Sequence, residues 1–239
     1  MADGYRAAVD AGRIDPKAIT ACAGLSLGEY TALHLAGCFG FEDGLRLVAA
    51  RGRYMQDAAL ASRSGMVAIM GADEAAVNKL CEQAAGGEVL VPANFNAPGQ
   101  IVVSGAIGAC ERVLKSAEAA GHKAVALKVA GAFHSPIMQS GADKMLQELE
   151  KVQFADPAVA VYSNVTARTH GDAASIKSLL VQQIVSPVRW AETMQALMAN
   201  GEARFVELAP GRTLAGLAKR INRRLPVESL ENMAALSAA

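Results

Sequence analysis

The chain has 239 residues with no net charge, and 52% of its side chains are hydrophobic but only 5% aromatic. That length suits one substantial α/β domain carrying a smaller insert, with an aliphatic core layered between sheet and helices. A neutral chain has no global field to recruit nucleic acid or an anionic membrane, no apolar run reaches spanning length, and no signal-peptide pattern opens it, so a soluble, cytoplasmic protein is expected.

The first predicted helix runs from about Gly4 to Ala11. The apolar run Ala18 to Cys22 then predicts a strand, followed by Gly24-Leu25-Ser26-Leu27-Gly28 and a helix-compatible stretch from Glu29 to Leu35. Strand, Gly-x-Ser-x-Gly, helix is the pattern of a nucleophile elbow. Both glycines are expected to clear space for a sharp turn that projects the Ser26 hydroxyl, with the free N–H groups of the helix start behind it. A tight crossover with a capping serine is the other reading of the same residues. Glu42 to about Ala61 predicts a long helix, with Leu45, Val48, Ala49 and Met55 as its buried stripe.

Ser62-Arg63-Ser64-Gly65 marks a boundary. Beyond it the pattern is strand (Met66 to Met70), helix from Asp73, and two strands turning at Asn96-Ala97-Pro98-Gly99. A helix from Ile107 to Ala120 and a strand from Lys123 to Val129 follow. This order predicts a ferredoxin-like subdomain over 64–130, inserted into a larger domain formed by 1–63 and 131–239. The later part predicts helices at 140–150, 176–184, 190–200 and 214–224, and strands at 158–163 and 204–208. The alanine-rich C-terminus is expected to fray.

A serine nucleophile needs a base, and there are four histidines. His34 lies too far along the elbow helix, while His122 and His170 read as surface residues. His134 sits in Gly131-Ala132-Phe133-His134-Ser135-Pro136, where the insert returns to the larger domain and a cleft is expected. It is taken as the general base, against the alternative of a structural histidine. Cys22, Cys38, Cys81 and Cys110 are scattered with no paired spacing, so they read as core residues and no metal site is expected.

Several separated motifs stand together in one order. They are Gly24 to Glu29, Arg51-Gly52-Arg53-Tyr54-Met55-Gln56, Asn94-Phe95-Asn96-Ala97-Pro98-Gly99-Gln100, Gly131 to Pro136, Ser163-Asn164-Val165-Thr166, Pro187-Val188-Arg189-Trp190 and Gly211-Arg212-Thr213-Leu214. Through essentially its whole length the chain resembles the malonyl-CoA:acyl-carrier-protein transacylases and, more distantly, the acyltransferase domains of polyketide synthases. The resemblance implies an α/β-hydrolase-like large domain with a ferredoxin-like insert. It implies malonyl transfer from malonyl-CoA to acyl carrier protein by a monomer without a cofactor, in fatty-acid biosynthesis.

Carried over by position, the resemblance makes Ser26 the acyl-accepting serine and His134 its base. Leu27 contributes an oxyanion N–H, and Arg51 is the partner of the free malonyl carboxylate. A planar guanidinium suits that task, although Arg51 alone would read as a solvated helix-face residue. Met55 is placed along the acyl pocket. Gln183 orients the histidine through its backbone carbonyl, so its side chain is expected to be dispensable. The segment Asn94 to Gln100 is expected near the cleft without a catalytic role. The Ala132-Phe133 pair resembles the malonyl-selective form of its motif. Carrier proteins of this pathway are acidic, and Lys219, Arg220, Arg223 and Arg224, read as one helix, are the expected docking patch.

Two positions depart from the family. Leu25 stands where His is usual, beside the nucleophile. The glutamine loop that supplies a second oxyanion donor has no match in residues 1–25, so an N-terminally incomplete copy is expected, poorly soluble or nearly inactive alone. Serine thioester or ester hydrolysis is the alternative chemistry, and an inactive domain that only binds carrier protein is the non-enzymatic one. Hydrolysis of a neutral acyl group gives no reason for Arg51.

Overall fold

A computed structural model gives the fold and describes residues 2–208, 210–232 and 234–235. The alanine-rich stretch at 236–239 lies outside the described residues. Helix α1 (Ala2–Asp10) leads through a 3₁₀ turn to strand β1 (Ala21–Cys22), and the elbow then feeds α2 (Gly28–Leu35) and α3 (Phe41–Leu60). The inward face of α3 is not the expected stripe, because Leu45 is 58% exposed and Ala49 is also exposed. The buried row is Leu47, Ala50, Arg51, Met55, Ala58 and Ala59. Its members recur every three or four residues, so the helix presents one face inward and carries Arg51 in the middle of it.

The next elements are β2 (Ser64–Met70), α4 (Glu74–Ala85), β3 (Leu90–Ala97), β4 (Gln100–Ala106), α5 (Ile107–Ala119) and β5 (Lys123–Ala126). The four strands form one antiparallel sheet in the order β3-β4-β2-β5. Helix α4 starts where the Asp73 side chain accepts from the Ala76 N–H at 2.8 Å, which satisfies one of its orphan donors. Strand alternation splits the sheet. Val67, Ile69, Ile101 and Val103 pack with Val77, Leu80 and Val113 of the helices, while Met66 and Val102 join Ala93 and Phe133 on the opposite face. That second face puts the sheet against the segment carrying His134.

The chain continues through α6 (Gln139–Glu150), β6 (Ala160–Val161), α7 (Ala173–Val185), α8 (Trp190–Ala199), β7 (Phe205–Glu207), α9 (Thr213–Ile221) and β8 (Val227–Ser229). Two small parallel pairs, β1 with β6 and β7 with β8, complete the strands among the described residues. Leu33, Leu47, Met145, Leu149, Ile176, Leu180 and Ile184, contributed by α2, α3, α6 and α7, build the main core. The β3 strand is tied to the segment after α7, with Val188 N donating to Ala93 O at 2.9 Å and Phe95 N to Val188 O at 2.8 Å. The fold is mixed α/β.

Several boundaries differ from expectation. The strand expected at 18–22 is confined to Ala21–Cys22, because Ala18 ends the 3₁₀ turn that begins at Pro16. The strand at 158–163 shrinks to Ala160–Val161 because its partner β1 has only two residues. The strand from Lys123 stops at Ala126, one residue before its last bond to β2, from Leu127 N to Met66 O at 2.9 Å. The last helix ends at Ile221, since the Asn222 side chain accepts from the Arg224 N–H at 3.0 Å and so offers the backbone a turn in place of another helical bond. Arg223 and Arg224 therefore lie in that turn and not on the helix. No helix among the described residues is long and apolar enough to cross a membrane.

All four cysteines are free. Burial pushes the thiols of Cys22 and Cys38 up to about 11 and that of Cys81 to about 12.

The elbow glycines are not equivalent. A Cβ on Gly24 would sit 2.1 Å from the Gly28 carbonyl, whereas one on Gly28 would meet nothing within 4 Å. Only Gly24 is required by close approach. Gly24→Ala is expected to lower stability by about 3 kcal/mol or more, because the neighbour is backbone that has to move. Gly28→Ala is expected to change it by less than about 1 kcal/mol, in the stabilising direction that helix propensity dictates. Urea-unfolding midpoints of the two variants check this contrast.

Candidate active site

Ser26 sits between β1 and α2 with φ at 51°, a left-handed conformation uncommon for a residue with a side chain. Such strain persists only where the surroundings hold it. Here the holder is Asn164, in the loop after β6. Its Oδ1 accepts from Ser26 N at 2.6 Å while its Nδ2 donates to Gly24 O at 2.8 Å, so one amide closes both sides of the turn. Leu27 takes the N-cap position of α2, where backbone N–H groups have no intrahelical acceptor. Leu25 packs with the apolar cluster of Tyr162, Val188 and Trp190.

His134 is also left-handed, with φ at 58°, and is buried. Its loop is held by the four-stranded sheet, since Ser104 Oγ on β4 donates to Phe133 O at 2.7 Å and Ala132 N donates to Ser64 Oγ on β2 at 3.0 Å. A Cβ on Gly131 would meet Ala59 Cβ at 2.6 Å, so the loop lies directly on α3. The imidazole spans two partners: Nδ1 is 2.8 Å from the Gln183 carbonyl oxygen and Nε2 is 2.8 Å from Ser26 Oγ. A carbonyl can only accept, which places the ring proton on Nδ1 and leaves Nε2 to take the serine proton. Burial, reinforced by the Arg51 charge, holds the His134 pKa down at about 4 against the opposing bonds from Gln183 and Ser186. The ring is neutral at physiological pH and ready to act as a base.

Arg51 is buried beside the same serine. Its Nη2 donates to Ser26 Oγ at 2.9 Å and to Gln183 Oε1 at 3.0 Å, and its guanidinium lies 5.7 Å from the centre of the Tyr30 ring. Burial lowers its pKa, while Tyr30 and Glu29 act to raise it. Among the described residues, Arg51 Nε is buried without a partner.

Ser26, His134, Arg51 and Gln183 thus meet at one point, and Leu27 borders it. Met55 follows Arg51 on the buried row of α3 and belongs to the main core. Asn94 is buried on β3 and forms a bridge to Val188. His34 turns away, with Nδ1 at 3.0 Å from the Phe39 carbonyl oxygen, and His122 is half-buried.

Two expectations need correction. His170 is not a surface residue, because Glu29 draws its side chain fully inside, with Nε2 2.7 Å from Glu29 Oε1. The Gln183 side chain is not dispensable to the geometry. Besides accepting from Arg51, its Nε2 donates to Ser26 O at 3.0 Å and to Glu29 Oε2 at 2.6 Å. Sequence reasoning missed Glu29, Asn164 and His170. The first two lay inside quoted motifs, and that placement was the available signal. Among the described residues no group of three or more His, Cys, Asp or Glu side chains is arranged to hold a metal ion.

A strained serine bonded to a neutral histidine, beside a buried cation, can attack an acyl carbon and hold an acidic acyl group. The site defines a protein of the serine-nucleophile class. Comparison with known proteins narrows the class. The family model described as acyl transferase domain matches residues 14–234. A malonyl CoA-acyl carrier protein transacylase of Salmonella typhimurium is 44% identical over 218 residues, which is 91% of this chain and 71% of that protein. One from Escherichia coli K12 is 42% identical over 93% of this chain and 72% of its own length. The solved transacylase of Coxiella burnetii superposes with a TM-score of 0.93 at 38% identity, covering 98% of this chain and 73% of the other. A chain of the solved complex of a type II polyketide acyl-carrier protein with its malonyl-transacylase gives 0.92 at 36% identity, over 98% of this chain and 76% of that one. The chain belongs to the acyl transferase domain family.

The depressed histidine pKa carries a sign. The unfolded chain takes up a proton near pH 6.5 that the folded chain refuses until about 4, so stability falls as pH drops through that window. The acid limb of kcat/KM with a neutral acyl thioester is expected below pH 6, and Arg51→Ala is expected to move it upward by removing the nearby positive charge. A pH–rate profile of the two proteins checks both statements.

Proposed function

We propose that this protein transfers a malonyl group from malonyl-CoA to the phosphopantetheine thiol of an acyl carrier protein, in fatty-acid synthesis. One observation carries the acyl specificity: Arg51, buried at the nucleophile, keeps a buried Nε donor without a protein partner among the described residues. A neutral acyl group gives no reason to bury a cation there, and a free carboxylate does. The same observation weighs against a hydrolase of neutral esters.

In the first half-reaction Ser26 Oγ attacks the thioester carbon as its proton passes to His134 Nε2. The Leu27 N–H stabilises the tetrahedral oxyanion, the carbon–sulfur bond breaks, and His134 returns the proton to the departing CoA thiolate. The second half-reaction repeats these steps in reverse with the carrier thiol as nucleophile. An ester replaces a thioester and a thioester replaces the ester, so no electrons are exchanged and we assign no cofactor. Met55 is assigned to the wall of the acyl pocket. Lys219 and Arg220 on α9, with Arg223 and Arg224 in the turn after it, are exposed and form the docking patch we assign to the acidic carrier protein.

The finer architecture is part of the same proposal. Residues 64–130 are assigned as a ferredoxin-like insert, supported by the antiparallel order β3-β4-β2-β5 with α4 and α5 on one face. Residues 1–63 and 131–239 are assigned as the α/β-hydrolase-like unit. A cytoplasmic monomer is the expected form.

Incubation with malonyl-CoA is expected to add one malonyl group to the protein, read by intact mass, and Ser26→Ala is expected to abolish it. An adduct that survives in Ser26→Ala overturns the assignment. Arg51→Ala is expected to lose malonyl transfer by roughly 30- to 1000-fold while sparing acetyl transfer, as removal of a desolvated charge-assisted pair worth about 2–4 kcal/mol requires. Equal losses with both substrates would make Arg51 structural.

A further inference from the structure

Behind the nucleophile lies a fully buried carboxylate that the transfer steps above do not use. Glu29 projects from the first turn of α2 and is 0% exposed. Its Oε1 accepts from His170 Nε2 at 2.7 Å, and its Oε2 accepts from Asn164 N at 3.1 Å and from Gln183 Nε2 at 2.6 Å. The carboxylate therefore gathers the elbow helix, the loop after β6 and α7 at one point.

The contact with Gln183 matters most, because a primary amide has two ends of opposite character. Both N–H bonds of Gln183 are committed, one to Glu29 Oε2 and one to the Ser26 carbonyl. Its oxygen is thereby left facing Arg51 Nη2. Turning the amide over would set NH₂ against the guanidinium N–H and the oxygen against a carboxylate and a carbonyl. Nη2 in turn spends its two protons on Gln183 Oε1 and Ser26 Oγ, which orients the guanidinium and leaves Nε uncommitted.

We propose that Glu29 is a specificity-positioning residue: it fixes the amide of Gln183, and through it the Arg51 donors that select an acyl group with a free carboxylate. The proposal rests on the malonyl reading above and deepens it. A glutamine at position 29 would have one acceptor oxygen and an NH₂ group to meet three N–H donors. The Gln183 amide is then held by a weaker, uncharged acceptor, and its oxygen is fixed less firmly toward Arg51 Nη2.

The test is the ratio of Ser26 acylation rates with malonyl-CoA and acetyl-CoA, followed by intact mass. A loss of folded protein lowers both rates equally and leaves the ratio alone. Glu29→Gln is expected to lower the ratio by about tenfold, the effect of weakening one bond to a charged group. Gln183→Met, which keeps the backbone carbonyl for His134, is expected to lower it similarly. The double variant is expected to be no worse than either single one, because the two act in series. An unchanged ratio in Glu29→Gln, or additive losses in the double variant, overturns the proposal. If Glu29→Gln does not fold by circular dichroism, Glu29→Asp takes its place. Failure of both to fold makes Glu29 purely structural and overturns the proposal as well. Wild-type protein and Arg51→Ala serve as the reference. A ratio that Arg51→Ala leaves unchanged sinks the malonyl reading itself, whereas a ratio that falls there but not in the position 29 and 183 variants sinks only this inference.

Discussion

The site depends on one side-chain amide. Asn164 bonds the N–H of Ser26 and the carbonyl of Gly24, supplying the acceptor and donor that a neighbouring strand would otherwise provide. A left-handed serine stores roughly 1–3 kcal/mol of backbone strain, and it stays in place because relaxing it would leave both of those groups unpaired. With the turn fixed, the serine hydroxyl has a fixed direction, and the partners that meet it are arranged around that direction. His134 arrives from the loop after β5, Arg51 from the buried row of α3, and Gln183 from α7.

Charge is distributed around that serine with little to spare. The guanidinium of Arg51 and the carboxylate of Glu29 are both buried and do not touch. They communicate through the dipole of a neutral amide. This keeps the cation from being quenched by a direct ion pair, which would leave it no capacity to bind an anion. Burial holds the histidine neutral and the same cation adds to it, since a second positive charge so close is disfavoured. A carboxylate bound at Arg51 would offset that effect and raise the basicity of the proposed general base.

What the sequence made legible follows the range of the interactions. The elbow, the Asp73 cap and the Pro98-Gly99 turn are local, and their residue types announce them. The long helix α3 was legible as a helix, but its inward face was not, because alanines on several sides leave the stripe ambiguous until α6 packs against it. Glu29, His170 and Gln183 were misread or missed for a different reason. Their bonds join residues 141 and 154 positions apart, and no local pattern encodes them. His170 lies among Thr169, Gly171 and Asp172, which is surface composition, and only its partner on the elbow helix draws it inside. The motif order supplied what periodicity lacked, since it marked Arg51 where sequence alone favoured a solvated helix face.

The four cysteines have a bearing on chemistry they do not perform. Both proposed substrates present sulfur, one as a thioester and one as a free thiol, and any protein thiolate nearby would compete for the same acyl group by exchange. Burial holds the thiols of Cys22 and Cys38 at about 11 and Cys81 at about 12, while the Cys110 Sγ–H points at the Gly65 and Gly105 carbonyls. At neutral pH the thiolate population of the first three is on the order of one in ten thousand or less, far below that of a free cysteine. The fold thus keeps its own sulfur protonated, and the hydroxyl at the elbow is left as the proposed acceptor for the acyl group.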